Sequence, residues 1–222
     1  MFKSIALAVI LCAIVYACGS TTGSLQSRPS SDIESRRIRR IAVLPPTMVA
    51  TATQPSLPFN PPAVPRTSER EAPESIARFT HAALVALPNW QIVSESEVRE
   101  AATNLPPSSA EDRLKRIGER VYADAVMMGR VQRYRERVGD EWGAKSPASV
   151  AFILDLVDVR RGDIIWTARF DETQKSLSES IFSIGAIGER GVRWLSADQL
   201  AQEGIKKAVG QLHDVLTRRP AS

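Results

Sequence analysis

The stretch "ADAVMMGRVQRYRERVGDEWGAKSPASVAFILDLVDVRRGDIIWTARF" constrains the fold more than any other part of the chain. Its apolar and β-branched runs, broken by two turn signals, predict three antiparallel strands. The first covers about 125–137, and "GDEWGAKSP" turns it. Val150–Val159 is the second, and "RRGD" is a tight turn into the third, Ile164–Phe170. Period-two alternation places Ile164, Trp166, Ala168 and Phe170 on one face. Such a meander must bury that face against something else, so the rest of the chain has to supply helices.

It does. In "RRIRRIAVLPP", residues Ile38, Ile41, Val43 and Leu44 predict a buried strand ended by Pro45-Pro46. Residues 45–73 hold eight of the fourteen prolines and read as a long loop. From Glu74 the pattern is helical, with Ile76, Phe79, Ala83, Leu84 and Leu87 near one face, until Pro88-Asn89. "WQIVS" is a short strand. Ser94 caps the next helix with Glu97 in capping-box position, and Ser109 opens another with Leu114, Ile117 and Val121 on its apolar face. Ser196 and Gln199 form a second capping box, with Leu195 and Leu200 at staple positions. That last helix buries Leu200, Ile205, Ala208, Val209, Leu212 and Leu216. Trp90, Trp166 and Trp194 are expected in the core. The fold class is therefore α/β (α+β): a mixed sheet with an antiparallel three-stranded meander, helices packed on it, and a long C-terminal amphipathic helix.

The amino-terminal region has another character. Lys3 precedes a thirteen-residue apolar run, residues 5–17. As a helix this rises about 20 Å, short of the ~30 Å hydrocarbon core, so it reads as a signal peptide rather than a span. Residues 19–37 are rich in Ser, Thr and Gly and read as a flexible tether. The expected organisation is a signal peptide at 1–17, a tether at 18–37, one domain at 38–217 containing the 45–73 loop, and a tail at 218–222. The chain has two cysteines, Cys12 inside the apolar run and Cys18 just after it. Val15-Tyr16-Ala17-Cys18 resembles the lipobox of bacterial lipoproteins, with Tyr16 departing from the usual small or β-branched residue. That resemblance implies cleavage before Cys18 and its acylation, a membrane anchor made of more than one chain. Gly19-Ser20 supplies no acidic residue after the cysteine, which in lipoproteins of this type resembles an outer-membrane destination.

"RRIAVLPP", "WQIVSESEVREA", "YADAVMMGRVQRYRER" and "FILDLVDVRRGDIIWTARF", in that order, resemble the periplasmic lipoprotein superfamily of the curli-secretion lipoprotein CsgG. The penicillin-binding-protein activator lipoproteins and the N-terminal domain of TolB belong to the same group. The resemblance covers about 38–217 and implies a periplasmic domain that binds or assembles. The chain departs from the channel-forming members: the Pro-rich 45–73 loop cannot supply their long lipid-facing hairpins, and the tip "YRERVGDEWGAKSP" is charged on both faces.

Little in the sequence points to catalysis. There is no nucleophile elbow, Walker loop or dinucleotide fingerprint, and "GAIGERG" lacks a strand–loop–helix context. His81 and His213 lie on helices without a partner at ligand spacing, so no metal or cofactor is expected. Asp155 and Asp158 are three apart on a strand and face opposite sides; Asp158 is read as a turn support. A net charge of +4, spread among acids, does not argue for nucleic acid.

Strand alternation puts Arg130, Gln132, Tyr134 and Glu136 on one face, with Arg133 and Arg135 on the other. Two readings of these residues stay open. One is a solvated face with cross-strand ion pairs. The other is a partner-binding surface using Arg130, Tyr134, Arg135 and the hairpin-tip Trp142, since Arg and aromatic residues favour interfaces. The resulting expectation is a non-catalytic, lipid-anchored envelope lipoprotein, held to the membrane through Cys18, with an envelope protein partner and the option of self-association. A ring-forming export accessory and an envelope hydrolase remain as alternatives.

Overall fold

A computed structural model describes residues 25–49, 67–103, 105–106, 109–140, 143–174 and 194–218. Cys18, the apolar run, most of the Pro-rich loop and Trp142 lie outside the described residues. The chain forms β1 (Leu25–Pro29), a 3-10 turn (Ile33–Ser35), β2 (Arg40–Val43), β3 (Thr47–Met48), α1 (Thr67–Val85), β4 (Gln91–Ile92) and α2 (Glu95–Ala102). It continues with α3 (Ala110–Arg120), β5 (Ala125–Arg135), the small hairpin β6 (Val138–Asp140) and β7 (Gly143–Ser146), β8 (Ser149–Asp158), β9 (Ile164–Thr173) and α4 (Ala197–Thr217). The main sheet runs β1-β9-β8-β5-β2-β4, with β3 also pairing to β5. β2 is parallel to β4 and β5, whereas β5, β8, β9 and β1 are antiparallel in turn. The mixed sheet and meander match the sequence expectation.

Two cores explain the layering. On one face α1 and α4 cover the sheet: Ile76, Leu84, Leu200, Ile205 and Leu212 pack with Met127, Phe152, Leu156, Trp166 and Phe170. On the other face α2 and α3 bring Val98, Leu114 and Ile117 against Ala42, Val126 and Val157. Strands buried on both sides read as unbroken apolar runs, as "IAV" and "AVMM" do. Phe152 and Phe170 stack at 5.1 Å. Ser94 accepts from the Glu97 amide, Ser109 from that of Asp112, and Ser196 and Gln199 cap each other reciprocally; the expected Ser94–Glu97 box is only half made, because the Glu97 carboxylate pairs with Arg40 at 2.8 Å.

Three expectations need correction. Residues 25–37, read as part of a tether, are folded: β1 pairs with β9, and Ile33 is buried. The segment lacks an apolar period because only Leu25 and Ile33 reach the core, and backbone bonding and one ion-pair cluster supply the rest of its hold. α1 begins at Thr67, inside the predicted Pro-rich loop, and contains Pro73. Less than two turns precede that proline, so it breaks the hydrogen-bond ladder only near the helix start, where the cost is smallest. Finally, a register shift between Leu156 and Val157 turns Ile164 out, 52% exposed, and buries Ile165 in its place.

Candidate functional site

The end of the meander where β5 finishes and β8 begins carries a concentration of charge. β5 holds an irregularity between Val131 and Arg133, where Gln132 is the extra residue. A bulge reverses the face of every side chain beyond it. Val131 and Tyr134 therefore both point into the helix-covered core, and Arg130, Arg133 and Arg135 share the opposite face. This corrects the predicted grouping of Arg130 with Tyr134 and Glu136.

Tyr134 is 2% exposed and donates its hydroxyl to Asp198 Oδ1 in the first turn of α4. Burial, then the Asp198 carboxylate, push the phenol well above its ordinary range. Glu136 Oε2 accepts from the Ala197 amide at 3.0 Å, adding negative charge at the same helix start. Tyr134 and Glu136 thus fix α4 to the sheet. Tyr134 presents no surface to a partner.

The opposite face forms a grid across four strands. Register places Arg130, Ile153, Arg169 and Gln26 in one row, and Met128, Asp155, Thr167 and Arg28 in the next. Arg133, Ala151 and Asp171 form a third row; Arg135, Ser149 and Thr173 form a fourth. Strands lie about 4.8 Å apart, and same-face residues along a strand about 7 Å apart. Asp155 is buried, and its two oxygens accept from Arg130 Nη2 and Thr167 Oγ1, each at 2.7 Å. Arg133 reaches Asp171 and, through Nε, Ser149 Oγ at 2.5 Å. Five arginines (Arg28, Arg130, Arg133, Arg135 and Arg169) therefore stand over two aspartates. Arg28 and Arg135 have no ion-pair partner among the described residues, and the Arg169–Asp171 contact is long at 3.7 Å. The α2–α3 core reaches only as far as Met128 on this face. Arg130 and Arg169 keep 48% and 55% of their side chains in solvent.

A crevice of about 690 Å³ opens at the carboxyl ends of β2 and β4, lined by Val43, Pro45, Arg78, His81, Ser94 and Arg99 among others. The neighbouring strands β2 and β4 lead to helices on opposite faces, β2 to α1 and β4 to α2 and α3. Open α/β sheets hold ligands at such switch points. Here Ser94 is committed to the α2 cap, and Arg99 pairs with Glu95. His213, the other histidine, packs edge-on against Trp90 at 5.3 Å. Among the described residues no group of three metal-ligating side chains forms, and no helix is long and apolar enough to cross a membrane.

Sequence reasoning missed Arg36. Its guanidinium, 6% exposed, bonds Asp32 at 2.7 Å, Asp158 at 2.8 Å and Asp163 at 2.9 Å. Arg36 beside it holds the Asp32 carboxyl below its ordinary range, helped by the Ser30 hydroxyl. Asp158 Oδ1 also accepts the Arg160 and Arg161 amides, so its expected turn role stands beside a tertiary one. Gly162, at φ +76°, lets the chain close that turn. Four arginines in "SRRIRR" look alike in sequence, and nothing local marks Arg36 as the buried one.

No protein-family model matches the chain, and no curated protein matches it in sequence. Solved structures are similar to it in fold. The PelC dodecamer from Paraburkholderia phytofirmans aligns at a TM-score of 0.47 and 15% identity, over 87% of this chain and 97% of that one. Lipoprotein GNA1162 from Neisseria meningitidis aligns at 0.42 and 17%, over 68% and 94%. The LpoB C-terminal domain from Escherichia coli aligns at 0.39 and 16%, over 73% and 93%.

Proposed function

We propose that the protein is a non-catalytic, lipid-anchored binding or assembly lipoprotein of the cell envelope, facing the periplasm. In this reading Cys18 is the acylated residue that holds it to the outer membrane. The arginine grid takes an acidic partner, with Arg130 and Arg135 among the contacts, and Trp142, outside the described residues, is a further candidate contact. The observation that carries the reading is the grid itself: five guanidinium groups over two carboxylates leave a face whose charge needs a complement. The anchor is tested by Cys18→Ala and cell fractionation. The variant is expected to leave the membrane fraction, and unchanged retention would refute acylation there.

A ring-forming oligomer is the second reading. It is favoured by the outer edges of β1 and β4, which bond no further strand among the described residues. Light scattering on a chain starting at Gly19 decides it. A monomer at every concentration rules the ring out.

A further inference from the structure

Resting on the anchored, acidic-partner reading above, we propose that the partner of the arginine grid is the anionic headgroup layer of the protein's own bilayer, so that this sheet face lies on the membrane. Three observations lead there. First, β1 forms the border of the grid and supplies Arg28 to it. Only six residues separate Cys18 from Leu25, a reach of at most about 25 Å. The charged face and the anchor therefore enter the same zone. Second, the cations spread over three of the four strands and all four rows instead of surrounding a pocket. A broad flat array matches a broad flat surface. Third, among the described residues the face carries no aromatic side chain: Tyr134, Phe152, Trp166 and Phe170 all lie in the opposite core. Protein interfaces centre on buried aromatic and apolar anchors, whereas attraction of basic residues to anionic lipid needs only charge within a Debye length. An acyl anchor plus a basic patch is also a two-signal arrangement that holds a protein firmly at a bilayer.

The test uses a chain starting at Gly19, which retains every described element, and vesicles of phosphatidylcholine with or without phosphatidylglycerol at about one lipid in four. Cosedimentation is expected with the anionic vesicles only, and it should disappear at about 0.5 M salt. Arg135→Glu with Arg169→Glu should weaken it at least about 25-fold, at roughly fivefold per arginine. Arg37→Glu with Arg160→Glu, exposed residues at the other end of the sheet, should leave it nearly unchanged. Equal binding to neutral vesicles overturns the proposal, as does equal loss in both double variants. If vesicles fail to bind but immobilised polyglutamate retains the protein through Arg135 and Arg169, the bilayer is the wrong partner and the acidic-partner reading survives. If neither surface binds, both fall. Cys18→Ala fractionation reports on the anchor independently of all these outcomes.

Discussion

Replacing Arg36 with Met should destabilise the domain by about 3 kcal/mol. Breaking a buried ion pair by removing one partner costs roughly 3–5 kcal/mol, because the remaining charge stays buried. Asp158 is that remaining charge, with 3% of its side chain exposed. Its Oδ1 keeps the two backbone amides at 2.8 and 3.0 Å, while Oδ2 loses its guanidinium, so the lower end of the range applies. Asp32 and Asp163 are 43% and 46% exposed and turn to water with little effect. At a urea m-value of roughly 2 kcal/mol/M, the midpoint falls by about 1.5 M. Asp158→Asn added to the Arg36→Met chain should cost less than the same change in the natural chain, giving a coupling of roughly 1–3 kcal/mol.

The variant should also lose acid sensitivity. The folded Asp32 pKa lies below its unfolded value. The stability linked to it is present above the unfolded value, near 3.8, and is lost as pH falls further through the folded one. In Arg36→Met that decline below about pH 4 should flatten. Hydrogen exchange localises the damage: the Ser30 amide, bonded to the Ile165 carbonyl at 2.9 Å, should exchange faster. A midpoint shift under about 0.5 M, or unchanged Ser30 exchange, would refute the view that this cluster secures the amino-terminal strand.

Other expectations follow from single positions. Gly204→Ala would place a Cβ 2.8–2.9 Å from the Phe170 ring, so α4 must shift; a loss of about 1–3 kcal/mol by thermal unfolding is expected despite alanine's better helix propensity. Gly118→Ala should behave alike, since its Cβ would lie 2.4 Å from Val159 Cγ2. Tyr134→Phe should cost about 1–2 kcal/mol at neutral pH, read by urea unfolding. The Tyr134 pKa is raised on folding, so its linked stability is whole below the unfolded value, near 10, and fades as pH rises beyond it. The Phe variant should lose that alkaline decline, and an identical slope in both chains would contradict the Tyr134–Asp198 contact.

The sequence shows the meander, the caps and the terminal helix because each rests on local periodicity or turn chemistry. It hides β1, where "LQSRP" has neither alternation nor β-branched residues and is ordered by β9 and by a guanidinium several residues further on. The site is hidden by one residue. Strict alternation groups Arg130 with Tyr134, and the extra Gln132 moves Tyr134 into the core and gathers the arginines outside. Bulges depend on pairing with a partner strand, and a single strand read alone does not announce them.

The placement of β1 has a mechanical meaning. Tension arriving from the amino side of Leu25 meets an edge strand whose first partner is Phe170 and whose last is Trp166. Such a strand peels one pairing at a time, beginning at Leu25, and stops where Arg36 grips Asp158. Peeling five residues releases about 17 Å of chain while the helices and the other strands stay folded. The amino-terminal strand can thus act as a short extensible leash, with the buried guanidinium as its stop.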